Sequence, residues 1–231
     1  MNTLMKAMEY ASSHLDKLIA AITQHLFLVG VPMAIGLGLG LPLGFLSSRS
    51  RSTSTILINS FNALRVIPSL AILFVAIPYF GLTFTSATIA LTILVMPPIL
   101  ISTDVAFRSI EPTLQEAAKG MGMTPLQVIQ QVEIPLALPV IIAGIKTASV
   151  EAIASATLAA FIGVGGLGSF IVLGFALYDK AILLVGAIPV AVLALIAEVS
   201  LSVLQRSLQP PTGKSLIFKH HEQVESTLKL S

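Results

Sequence analysis

The segment AFIGVGGLGSF, residues 160–170, spaces Gly163, Gly165 and Gly168 as G-x-G-x-x-G, the pattern by which a strand, a tight turn and a helix cradle a dinucleotide pyrophosphate. That chemistry needs a strand before the glycines and an acid about 20 residues later for the ribose. Here a long apolar run precedes them, and the next acid, Asp179, comes too early. The histidines offer no better site. His14 and His25 stand near the start, His220 and His221 lie in a polar tail, and none has a ligand spacing such as H-E-x-x-H, so no metal site is expected. The absence of cysteine excludes disulfides, thiolate metal sites and a thiol nucleophile. No G-x-x-x-x-G-K-[ST] occurs, so the chain does not itself hold ATP phosphates by a P-loop, and no nucleophile–base pair suggests an enzyme.

What positions these residues is a membrane. The 231 residues are 55% hydrophobic and 10% charged with a mean hydropathy of +0.93, whereas a soluble domain carries about 25% charged residues. The net charge of +2 comes from scattered basic residues with no Lys/Arg cluster among aromatics, which argues against nucleic acid. Crossing a bilayer core takes about 20 apolar residues, and five stretches qualify: 25–46, 56–80, 84–103, 140–163 and 180–204. Glycines 36, 38, 40 and 44 crowd the first, which lipid tolerates and which allows close helix contact. Before it, residues 1–24 place Leu4, Met8, Ala11, Leu15, Leu18 and Ile22 at steps of three and four among charges, predicting one amphipathic helix in the membrane interface. This segment lacks the layout of a signal peptide. A cytoplasmic tail is expected over 205–231. With the N-terminus outside, nine basic residues (Arg49, Arg51, Arg108, Lys119, Lys146, Arg206, Lys214, Lys219 and Lys229) fall inside against three outside (Lys6, Lys17 and Lys180). The positive-inside rule favours that orientation, with the long polar interval 104–139 in the cytoplasm.

Within that interval, SIEPTLQEAAKGMGMTPLQVIQQVEIPLALP, residues 109–139, predicts two short helices at an angle. Pro112 opens the first, Gly120 and Gly122 interrupt it, Thr124 caps the second with Pro125 at its first position and Gln127 as capping-box partner, and Pro135 stops it. Ala117 and Ala118 beside Glu116 form a small face that another protein could approach closely. A plain connecting loop is the alternative.

Glu116-Ala117-Ala118, three residues, Gly122, nine residues, then Val132-x-Ile134-Pro135 resembles the EAA-x3-G-x9-I-x-L-P signature of bacterial ABC importer permeases, with two conservative aliphatic differences. Further residues resemble the osmoprotectant branch, for glycine betaine, carnitine or choline: Arg65-x-x-Pro68-Ser69-x-Ala71, Ile134-Pro135-Leu136-Ala137-Leu138-Pro139, and Gly165-Gly166-Leu167-Gly168. The resemblance implies an all-α membrane fold of type I importer architecture in the cell (inner) membrane. It implies that Glu116, Ala117, Ala118, Gly120, Gly122 and Pro135 couple to a separate ATP-binding cassette ATPase, where ATP and Mg²⁺ act, with no cofactor in this chain. It also implies a second permease, identical or related, and an external substrate-binding protein. Alternatives are a permease of this type for another small solute such as an amino acid, or a secondary transporter or channel, against which the lack of visible repeats counts.

Several residues are candidates for the translocation path or gate. Glu151 in the fourth span either attracts a cationic solute or ion-pairs with Lys146, Arg65 or a neighbouring subunit, the pairing being expected. Arg65 is expected to snorkel to the inner interface, and Glu198 to face the bundle and be paired. Pro68 with Ser69, and Pro97 with Pro98, are expected to break spanning helices, the alternative for Pro97–Pro98 being a bend of the third span toward the polar loop. Ala148, Ala152, Ala156 and Ala160, beside Ser149 and Ser155, form a small stripe suited to packing or to a pore. Gly165, Gly166 and Gly168 are expected in a turn at the outer mouth before a short amphipathic segment, 169–177, as part of a gate or simply as a tight turn.

Overall fold

The structure, a computed structural model, describes residues 2–209, and all its regular structure is helical. Twelve residues of sequence, 2–13, already depart from the predicted single interfacial helix. α1 (Thr3–Ser13) ends at His14, whose ring stacks on Tyr10 with centroids 4.3 Å apart, and α2 (Leu15–Ser48) starts afresh. The break turns α1 back onto the bundle. Ala7, Tyr10 and Ala11 pack with Ala21, Leu167 and residues 181–185 of the last helix, so the apolar face that seemed destined for lipid is partly covered by protein.

α2 runs for 34 residues, about 50 Å at 1.5 Å per residue. Its glycines explain its neighbour. A Cβ added at Gly36 would lie 2.6 Å from Val95 Cγ2, at Gly40 2.9 Å from Ile99 Cγ2, and at Gly44 2.7 Å from the Leu100 carbonyl. A small residue every fourth position therefore lets α2 lie directly against α5 (Phe84–Arg108). Pro97 and Pro98 do not break α5, contrary to expectation. Both are buried in the middle of the bundle, where packing from α2 on one side and α8 on the other holds the helix through the missing N–H groups.

The second predicted span is where the chain departs most from a straight helix. α3 (Arg51–Val66) and α4 (Ser69–Phe80) meet at 93°. Proline disfavours helical backbone in the residue before it, and Ile67 is extended at φ −74°, ψ 123°. Beyond α5 come α6 (Pro112–Gly120), α7 (Pro125–Val128), a π-helical turn (Ile129–Glu133), α8 (Ile134–Ala156), a 3-10 turn (Thr157–Ile162), α9 (Gly168–Ala176) and α10 (Lys180–Leu208). Four stretches are long and apolar enough to cross a membrane: Leu15–Ser48, Phe84–Arg108, Pro125–Ile162 and Lys180–Leu208. The bent pair makes a fifth if it counts as one. Of the predicted tail, 205–208 continue α10, and 210–231 lie outside the described residues.

α5 is the axis of the fold, packed by α2, α3, α4 and α8. The alanine stripe of the fourth span faces it: Ala148, Ala152 and Ala156 are fully buried, the first two in a cluster with Met33, Val95 and Ile99. Ser155 is buried beside them and Ala160 is half-buried. Ala148, Ala152 and Ala156 are thus taken up by packing within the chain. Gly144 completes the seam, close against Ser102 and 2.7 Å, at a built Cβ, from the Pro98 carbonyl.

Candidate functional site

The polar interval folds as a knob whose turns follow local rules. Pro112 occupies the first turn of α6, where no N–H is needed. α6 ends at Gly120, and Gly122 takes φ +84°, a left-handed conformation that returns the Met123 N–H to the Ala118 carbonyl at 3.2 Å. Thr124 and Gln127 then form the capping box. The Thr124 N–H donates to Gln127 Oε1 at 2.8 Å, and the Gln127 N–H to Thr124 Oγ1 at 3.4 Å. Glu116 and Ala117 face outward while Ala118 turns in, and Leu114, Met121 and Leu126 stand exposed around them. The knob thus presents a small, partly apolar surface edged by Glu116 and Lys119.

Pro135 does not stop the second helix. The backbone widens into the π-helical turn Ile129–Glu133 and continues as α8, with Pro135 exposed in the first turn. A proline inside an α-helix collides with the carbonyl four residues back, here Gln131. In a π-helical turn that carbonyl is re-aimed, so the proline is accommodated and the knob is joined to α8 by continuous helix.

Behind the knob lies a charged network that sequence reasoning missed. Glu133, 4% exposed, receives the guanidinium fork of Arg49, Nη1 donating to Oε1 at 3.1 Å and Nη2 to Oε2. The same guanidinium lies 4.4 Å over the Phe45 ring and 5.8 Å from that of Phe107. Asp104, wholly buried, accepts from Ser47 Oγ at 2.7 Å and Ser54 Oγ at 3.0 Å and pairs with Arg108 Nε at 3.3 Å. These partners pin the α2–α3 corner to the end of α5. The i, i+4 spacing of Asp104 and Arg108 and the serines of SSRSRS, 47–52, were the available signals.

The other candidates divide into two places. At the helix break, Pro68 is exposed, Ser69 is half-buried, and Val66 is 82% exposed. α4 packs through Ile72 and Leu73 on Ala156, Ala159 and Ile162, which brings it against the C-terminal end of α8, the end that carries Glu151 and Ser155. Arg65 is exposed in the last turn of α3. Glu151 is half-buried and forms no ion pair among the described residues, so the expected partnership with Lys146 or Arg65 within the chain does not form. Lys146 is taken elsewhere: its Nζ lies 3.0 Å from Glu198 Oε1 and donates to Ser202 Oγ at 3.2 Å. Glu198 is paired as expected, but its side chain is 46% exposed and does not face the bundle interior.

At the far end, the glycine turn is closed. Gly163, Gly165 and Gly166 have φ of 75°, 92° and 77°. The turn is entered from a 3-10 helix, not a strand, and Gln24 of α2 fills it: Nε2 donates to the Val164 carbonyl, and Oε1 accepts the Gly166 N–H at 3.1 Å. Gly166 and Gly168 are buried, and a Cβ at Gly168 would strike the Thr157 carbonyl. The segment that follows is not amphipathic. α9, GSFIVLGFA, carries no charge, and its Gly174 lies against the backbone of Leu183 in α10. Among the described residues no three His, Asp or Glu side chains gather as metal ligands.

This arrangement of helices has relatives. A profile of the family described as "Binding-protein-dependent transport system inner membrane component" matches residues 36–210. The chain is 42% identical over 193 residues to the carnitine transport permease protein OpuCB of Listeria monocytogenes, covering 84% of this chain and 88% of that protein. It is 36% identical over 203 residues to the glycine betaine/carnitine/choline transport system permease protein OpuCB of Bacillus subtilis (strain 168), covering 88% and 94%. Its fold is similar to that of a solved chain of the MetNI methionine ABC transporter in an inward-facing conformation, with a TM-score of 0.71 at 22% identity over 85% of this chain and 98% of that one.

Proposed function

We propose, from the premise that this chain belongs to the family of binding-protein-dependent transport system inner membrane components, that it forms the translocation path for a quaternary ammonium osmoprotectant of the glycine betaine, carnitine or choline type. The chain is a multi-pass membrane permease subunit of an ABC importer, and ATP hydrolysis belongs to a separate subunit. In our reading it crosses the membrane five times, the bent α3–α4 pair counting once, with its N-terminus outside and the knob in the cytoplasm. A second permease, identical or related, completes the path, and an external binding protein delivers the solute.

One observation carries this reading: the knob exposes Glu116 and Ala117 on a short helix, α6, which the tight turn at Gly122 folds against α7, and α7 runs through the π-helical turn into the long apolar helix α8 as continuous helix. Docked in an ATPase that holds ATP and Mg²⁺, such a knob moves as a rigid piece when two ATPases close. The helices follow, because a packed interior rearranges between discrete states and does not deform smoothly. Access to the solute alternates without any bond in it being broken, the ligand and ATP shifting which state is populated. Along the path, the exposed break at Pro68–Ser69 and the carboxylate of Glu151, unpaired among the described residues, are the groups available to a cationic solute.

Glu116→Lys reverses the charge on the docking surface, and Gly122→Pro cannot adopt φ +84°. Both variants should insert into the membrane normally and lose uptake. Binding-protein-stimulated ATPase activity equal to wild type in either variant refutes the docking role.

A further inference from the structure

Taking the knob as the ATPase-docking element, we propose that Arg49 and Glu133 form the joint that carries its movement to the α2–α3 corner. They are positioning residues: neither lies on the exposed docking face or at the helix break. Glu133 ends the π-helical turn that leaves the knob, and Arg49 directly follows α2, 84 residues away in sequence. Their contact is the side-chain link between those two elements.

Three features make it stiff. The guanidinium is a planar fork that engages both carboxylate oxygens, which fixes an angle as well as a distance. Its face lies on Phe45 of α2, and Phe45 packs edge-on against Phe107 of α5 with centroids 4.8 Å apart, so the fork cannot swing freely. Glu133 is buried, and a buried carboxylate stripped of its partner is strongly disfavoured, so the two groups move together.

What lies beyond the joint receives the motion. Ser47 and Ser54 flank Arg49 on α2 and α3, and both donate to the buried Asp104. The corner therefore moves as one body with the end of α5. From it α3 runs 16 residues to the 93° break at Pro68. A tilt imposed at α7 thus reaches the break through the Arg49–Glu133 fork and one rigid helix, and the π-helical turn supplies the place where the helix axis can re-aim.

The test uses the full chain assembled with its ATPase and binding protein in proteoliposomes, measuring solute imported per ATP hydrolysed and thermal stability of the complex. E133Q keeps the shape of the side chain and removes its charge; R49A removes the fork; R49K keeps charge without the fork. E133Q and R49A should retain the ATPase subunit and basal hydrolysis while import per ATP falls about tenfold. R49K should fall between them and wild type, and the R49E/E133R exchange should recover import above either E133Q or R49A. Unchanged import per ATP in E133Q and R49A overturns the joint. So does loss of the ATPase subunit, or a fall in import that merely tracks lost thermal stability. A wild-type complex without ATP-coupled import sinks the docking reading and the joint with it, and is told apart because it fails before any substitution.

Discussion

The turn at Gly163 and the corner at Gly122 both reverse the chain on a left-handed glycine, with φ of 75° and 84°. Their surroundings are opposite. Around the first, Gln24 fills the turn, Gly166 and Gly168 are buried, and a side chain at Gly168 would meet the backbone of Thr157. Around the second, a Cβ at Gly120 or Gly122 would meet nothing within 4 Å, and Glu116 and Ala117 stand in the open. The first corner is a closed lock made of neutral hydrogen bonds between elements. The second is an open face, held only at its base by a buried ionic network. Glycine marks both because both need φ above zero, and it is what surrounds the glycine that separates a structural turn from a surface made to meet a partner.

That contrast can be broken at either end. The largest effect is expected at the ionic base. Asp104→Ala strands the buried hydroxyls of Ser47 and Ser54 and takes the partner from the exposed Arg108, and should destabilise the chain by about 3–5 kcal/mol, read as lost thermal stability in detergent. At the closed lock, Gly168→Val drives a branched side chain onto the Thr157 carbonyl and should cost about 3 kcal/mol or more by the same assay. Gln24→Leu should cost about 2 kcal/mol, since the buried Val164 carbonyl and Gly166 N–H lose their partner. On the open side the effects shrink. Thr124→Ala removes the capping box at a solvent-exposed helix start and should cost about 1 kcal/mol. Gly120→Ala, in open space at the end of α6, should leave stability within about 1 kcal/mol of wild type. A Gly120→Ala loss as severe as that of Gly168→Val would erase the distinction between lock and face.

The features legible in the sequence were those whose causes are local. Pro112, Gly122 and the Thr124–Gln127 box act within a few residues of themselves, and the structure reproduces each. Apolar length alone placed α2, α5, α8 and α10. The illegible features depend on residues far along the chain. Pro97 and Pro98 look like breaks until α2 and α8 pack on both sides of them. Pro135 looks like a stop until the π-helical turn re-aims the carbonyl before it. Lys146 lay one to two turns from Glu151 in sequence, yet it reaches across to Glu198 on α10. Asp104 and Glu133 drew no attention, because their partners Ser54 and Arg49 are 50 and 84 residues distant. Sequence located the turns that expose Glu116 and Ala117, and could not see the buried network behind them.

The most direct measurement is solute uptake by proteoliposomes containing this chain, its ATPase and its binding protein, with labelled glycine betaine, carnitine and choline, in parallel with Glu116→Lys. Uptake of at least one of these solutes that requires both ATP and the ATPase, and that disappears in Glu116→Lys with the protein still inserted, is the predicted result. Uptake by this chain alone without ATP, or undiminished uptake by Glu116→Lys, would contradict it.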